Sequence, residues 1–114
     1  MERAVSVQET QLLEALLAKT LAGKISWRES ATPDEYISAI GGKQVYVLRR
    51  FPQANGLNPF RHVIQLEVRD PEHQTSLFEL EYENHKDAIA LFRAVKNLHV
   101  NDRLAESLEL INQL

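Results

Sequence analysis

Four histidines, His62, His73, His85 and His99, are the first residues to weigh for metal or acid–base chemistry. No two of them stand three or four positions apart, so no helix could offer a pair to one ion. There is no HExxH and no zinc-finger spacing either. The pattern reads as scattered surface histidines, and no metal is expected. Cysteine is absent, which excludes disulfides, thiolate metal sites and thiol catalysis. Serines stand at 6, 26, 30, 38, 76 and 107, but none lies in the GxSxG turn that exposes a nucleophile. A catalytic triad is a matter of geometry, so the order of residues alone does not exclude one. No dinucleotide fingerprint, Walker-type loop or EF-hand loop occurs. These readings lead us to expect a chain that is not an enzyme and that needs no cofactor.

Charged residues suggest two further sites. Arg49, Arg50, Arg61 and His62 flank the segment 52–60, which reads PQANGLNPF. It is long for a hairpin connection, and Asn-Gly and Asn-Pro are turn signals. A basic loop of this kind could meet an anionic ligand or a nucleic acid. It lacks the glycine density of a phosphate cradle, and no helix start follows it, so an ordinary solvated loop is the plainer expectation. Glu67, Glu79 and Glu81 are the second cluster. Paired carboxylates do acid–base or cation chemistry when sunk in a cleft; on an open sheet face they are plain surface charge.

The elements that must position these residues follow from periodicity. In RHVIQLEVRD, Ile64, Leu66 and Val68 alternate with Gln65, Glu67 and Arg69. In SLFELEY, Phe78, Leu80 and Tyr82 alternate with Glu79 and Glu81. Period two marks strands buried on one face. Pairing Val68 with Phe78, Leu66 with Leu80 and Ile64 with Tyr82 keeps every apolar residue on that face, and a one-residue slip would break it. Further strands are expected over 24–30, over 35–40 and over 43–51. Gly41-Gly42 suits a two-residue hairpin turn, which needs positive φ. It would pair Tyr36 with Val47 and Ser38 with Val45. Val45 and Val47 then face inward, and Ile37, Tyr46, Leu48 and Arg50 lie on the outer side. Large apolar patches are seldom left exposed on monomers, so either something covers that cluster or a partner does.

Helices close the reading. Ser6 and Glu9 match a capping box, ahead of a stripe of Leu12, Leu13, Leu16, Leu17 and Leu21. Gly23 is placed to end that helix. Asn84 can cap a later one, with Ala88, Leu91, Phe92, Val95 and Leu98 on its apolar side. Leu104, Leu108, Ile111 and Leu114 continue at helical spacing. Residues 85–114 read equally as one helix or as two broken near His99–Asp102.

With 114 residues, one domain over 1–114 is expected. A formal net charge of -3 gives no overall drive towards phosphate backbones, so nucleic acid is not the favoured partner. No apolar run approaches the roughly 18 residues of a membrane span, and the first ten residues lack a signal core; a cytoplasmic location is the default. The expected fold is α+β, a five-stranded antiparallel meander with one face covered by an N-terminal helix and one or two C-terminal helices. Its core should hold Leu16, Trp27, Val45, Val47, Ile64, Leu66, Phe78, Leu80 and Phe92. The expected function is a non-catalytic protein-interaction or accessory module. Its partner would be another protein or a second copy, met through Ile37, Tyr46, Leu48 and Arg50. The alternative is an anion- or nucleic-acid-binding domain built on Arg49, Arg50, Arg61 and His62.

Overall fold

Ser6 opens the first helix as its sequence demands. Its hydroxyl accepts from the Glu9 N–H at 3.1 Å, and Glu9 Oε2 accepts from the Ser6 N–H at 2.8 Å. Two otherwise unpaired donors of the first turn are thereby satisfied. This helix, α1, runs Val7–Leu21. The structure is a computed structural model describing residues 4–51 and 62–114. The loop 52–60 and Arg61 therefore lie outside the described residues.

Five strands follow: β1 (Arg28–Glu29), β2 (Glu35–Ile40), β3 (Gln44–Phe51), β4 (Val63–Asp70) and β5 (Thr75–Glu83). They form one antiparallel sheet in the order β1-β2-β3-β4-β5. A single helix, α2 (Lys86–Asn112), closes the chain. The fold is α+β, an antiparallel meander with both helices against one face. The stretch His99–Asp102 does not break α2; it contains neither proline nor glycine, and nothing else in the backbone interrupts the ladder of hydrogen bonds.

The β4–β5 register is the expected one, with Val68 opposite Phe78, Leu66 opposite Leu80 and Ile64 opposite Tyr82. The β2–β3 register is not. Gly41 and Gly42 both take positive φ, 63° and 66°, and the Lys43 N–H bonds the Ile40 carbonyl at 3.2 Å. Lys43 nevertheless stays outside the ladder, so Ile40 pairs with Gln44. That third loop residue shifts β3 by one position, and a one-residue shift exchanges its faces. Tyr46 and Leu48 lie opposite Val68 and Leu66 on the helix-covered side and are buried there. Val45 and Val47 lie on the other side, beside Arg69 and Glu67. A tyrosine and a leucine offer more apolar area than two valines, so this register buries the larger pair. The expected outer patch of Ile37, Tyr46 and Leu48 is corrected accordingly: two of its three apolar members are core residues.

The core joins Leu13 and Leu16 of α1, Trp27, Tyr36, Tyr46, Leu48, Ile64, Leu66, Val68 and Tyr82 of the sheet side, and Ala88, Leu91, Phe92 and Val95 of α2. Trp27 belongs to it as expected, but it precedes the short β1 and sits against α1. Its Nε1–H donates to Thr20 Oγ1 at 3.0 Å, and that hydroxyl donates to the Leu16 carbonyl at 2.7 Å. A buried indole N–H needs such a partner. Phe78 is correctly paired but 39% exposed, because β5 is an edge strand with a neighbour on one side only.

The passage from sheet to α2 is fixed by Asn84, whose φ is 52°. Its Oδ1 accepts from the His62 N–H at 2.7 Å, and its own N–H donates to the His62 carbonyl at 2.7 Å. Asn84 is thus a clasp between the start of β4 and the end of β5. The helix cap falls one residue later, on His85, whose Nδ1 accepts from the Ala88 N–H.

Candidate functional site

The uncovered face of the sheet carries a row of polar side chains centred on Arg49. Its Nε donates to Glu35 Oε1 at 2.9 Å, its Nη1 to Gln65 Oε1, and its Nη2 reaches Glu67 Oε1 at 3.4 Å. The second Glu35 oxygen accepts from the Ser30 hydroxyl at 2.6 Å. Burial opposes the charge on Glu35, yet the hydrogen bonds from Ser30 and Arg49 outweigh it and hold its carboxyl below the usual range. Glu67 stands opposite Glu79, as the alternation implied. It is only 7% exposed. Burial pushes its carboxyl up, but bonding by Ser76 and the nearby Arg69 and Arg49 prevail and leave it lowered. This face spends its charges on itself. Ile37 and the buried Val47 face each other between those rows.

Arg50 is on the opposite face. Its Nη2 donates to Asp34 Oδ2 at 2.7 Å, and its guanidinium carbon lies 5.2 Å from the centre of the Phe92 ring. Lys96 of α2 donates to the other Asp34 oxygen at 3.0 Å. Burial again opposes the charge on Asp34, and the bonds from Arg50 and Lys96 overcome it, keeping the carboxyl lowered. His99 stacks on Tyr36 with ring centres 4.9 Å apart. These contacts pin the first half of α2 to β2 and β3. Arg49 and Arg50 therefore do not share a surface, and both guanidiniums already hold carboxylates. Arg61, the third arginine of the expected anion site, lies outside the described residues. His62 contributes its backbone to the Asn84 clasp.

The remaining histidines are likewise dispersed. His73 bonds Asp70 at 2.9 Å in the β4–β5 turn, and His85 caps α2 beside the Tyr82 ring. Among the described residues no three of His, Asp and Glu gather as a metal group. A cleft of about 330 Å³ opens where α1 ends against α2, with Trp27 and Ile25 on one wall and Leu98, His99 and Asp102 on the other. Its tryptophan donor is already satisfied by Thr20.

The last third of α2 is different from everything above. α1 and α2 run parallel: Tyr82, just before α2, bonds Glu9 near the start of α1, and the end of α1 meets Val95–Asp102. Since α1 has 15 residues and α2 has 27, α2 outruns its neighbour from about Asp102 onwards. Beyond that point Leu104, Leu108 and Ile111 are 62%, 60% and 63% exposed. At about 100° per residue these three lie on one side of the helix, roughly opposite Leu91 and Val95, which face the core. Asp102, Glu106 and Glu109 occupy the side away from the stripe. Arg103 ties the projection to the sheet edge, donating to both carboxylate oxygens of Glu29. The leucine stripe was legible in the sequence as helical periodicity. Its exposure was not, because periodicity says which residues share a face and not what the face meets. No family model matches the sequence, and no curated protein or solved structure is significantly similar to it.

Proposed function

We propose that the chain is a protein-interaction module whose contact surface is the projecting part of α2, residues 100–114. The observation that carries this reading is the exposed stripe of Leu104, Leu108 and Ile111, which points away from the core its own helix helps to build. An amphipathic helix is the usual device for filling a partner's apolar groove. Large apolar residues aligned on one exposed face mark such surfaces on soluble proteins. The polar side opposite the stripe carries Asp102, Glu106 and Glu109, not the lysines and arginines that hold a helix on an anionic membrane surface. The reading asks for no catalytic group and no cofactor, and it takes the chain to act in the cytoplasm.

Paired substitutions test it. Leu108→Glu with Ile111→Glu places charge on the stripe without entering the core. The immobilised wild-type chain should retain a binding partner that the doubly substituted chain loses, while the circular dichroism of the two remains alike. Identical capture by both chains would sink the reading.

A further inference from the structure

The two edges of the sheet are finished differently. At one, β1 is two residues long, and Arg103 of α2 bonds Glu29 there. A short strand and a covering side chain are the usual protection of an edge. At the other, β5 runs nine residues, Thr75–Glu83, and its single neighbour in the sheet is β4. Every second residue of such a strand turns its backbone N–H and C=O away from the sheet. A bulge leaves Leu77 unpaired between Ser76 and Phe78, and from Phe78 onwards the ladder is regular.

The side chains of this open edge sort into two kinds. Phe78 and Leu80 stand on the helix-covered face, opposite Val68 and Leu66. Leu77 and Phe78 are exposed, and Leu80 is partly buried against the core. Glu79 and Glu81 alternate with them on the other face, opposite Glu67 and Gln65. Arg49 of that face is held by Glu35 and Glu67, and Arg69 also approaches Glu67. Among the described residues neither Glu79 nor Glu81 has an ion-pair partner. Glu79 also faces a like charge directly, which costs stability in a sheet.

We infer that the β5 edge accepts an extended peptide strand in which basic and apolar residues alternate. The backbone of that strand continues the ladder. Side chains on neighbouring strands alternate in step. The lysines or arginines of the peptide therefore fall beside Glu79 and Glu81, and its apolar residues beside Phe78 and Leu80. A second copy pairing its own β5 antiparallel to this one would set the glutamates against one another. The surface is separate from the α2 stripe, whose helix is tied to the opposite edge of the sheet.

The test is a terminally blocked peptide of alternating lysine and valine, nine residues long like β5. It is titrated into the isotope-labelled full chain up to about 1 mM, the range of weak affinities. Binding should weaken with salt and protect the outward amides of residues 75–81 from hydrogen exchange. Glu79→Lys with Glu81→Lys should leave the circular dichroism alike, weaken the lysine peptide by at least about tenfold and admit its glutamate–valine counterpart. Backbone N-methylation of the lysines in one peptide and of the valines in another should abolish binding of one and spare the other, since one set of N–H groups faces β5. No binding, equal binding by the charge-reversed chain, indifference to both methylations, or protection confined to amides outside β5 overturns the inference. Protection of the same amides in the concentrated chain alone would give the edge to a second copy and overturn it as well. Leu108→Glu with Ile111→Glu should bind the peptide as the wild type does. Loss of the peptide in that variant would place it on α2 and sink the β5 site, so the two surfaces stand or fall separately.

Discussion

Residues 86–99 and 100–112 belong to one unbroken helix, yet they turn their apolar sides in opposite directions. The first part buries Ala88, Leu91, Phe92 and Val95 completely or nearly so. It is fixed from the sides as well, by Lys96 on Asp34, Arg50 over Phe92 and His99 on Tyr36. The second part leaves Leu104, Leu108, Leu110 and Ile111 exposed, and Arg103 to Glu29 is its tie to the sheet. The same rule, that a helix hides one stripe, is satisfied within the domain for one half and unsatisfied for the other. Continuous hydrogen bonding along α2 carries the exposed half on the rigid one, so the core indirectly holds a surface it does not use.

The widest contrast should come from matched truncations in the two halves. Phe92→Ala empties part of the core and should cost about 3–5 kcal/mol. Leu108→Ala should cost no more than about 0.5 kcal/mol. Urea melts of the two variants give both numbers, and near-equal losses would erase the distinction.

A smaller effect is expected at the junction of α1 with the core. Thr20→Val keeps the shape but leaves the Trp27 N–H without its acceptor, for about 1–3 kcal/mol. Loss of tryptophan fluorescence order on denaturation reports it directly. Wild-type stability would mean that the indole finds another partner.

Acid sharpens the comparison from the side of charge. Asp34 and Glu35 have lowered carboxyl values in the folded chain. Folding therefore favours their ionised forms, and the stability they add is complete above the ordinary carboxylate range of about 4. It is lost as pH falls through their lowered values. Asp34→Asn keeps a residue type that tolerates the φ of 56° found there. It should flatten the fall in melting temperature between about pH 5 and pH 2. An unchanged slope would show that Asp34 does not fasten α2. The smallest effect should be Glu109→Lys, which repairs the polarity of the helix end. It should gain about 0.3–1 kcal/mol in hydrogen-exchange protection of the last turns of α2.

How far the sequence carried the fold depended on contrast between neighbouring positions. In β4, apolar and polar residues alternate without exception from Ile64 to Arg69, and both the buried face and its register with β5 could be read. In β3, Val45, Tyr46, Val47 and Leu48 are all apolar, so either face could be inner. The choice then hung on whether the glycine turn held two residues or three, which short-range propensity does not settle. The capping box and the glycine end of α1 were local features and came out as read. The strand expected over 24–30 shrank to Arg28–Glu29 because Ile25 and Trp27 pack on α1. Two members of the expected basic cluster part for a different reason. Arg49 and Arg50 are adjacent in sequence and on opposite faces in the strand, and their carboxylate partners at Glu35 and Asp34 come from another strand and its approach. Pairing across the sheet is not written in the spacing of the arginines.

The Asn84 clasp has a mechanical consequence. It is the pivot of a rod of 27 residues, about 40 Å long at 1.5 Å per residue. A turn of one degree at the pivot displaces the far end by about 0.7 Å over that length. Two hydrogen bonds of 2.7 Å to the His62 backbone fix where α2 leaves the sheet, and the contacts of Phe92, Lys96 and His99 hold its direction, so together they set the aim of the exposed leucines.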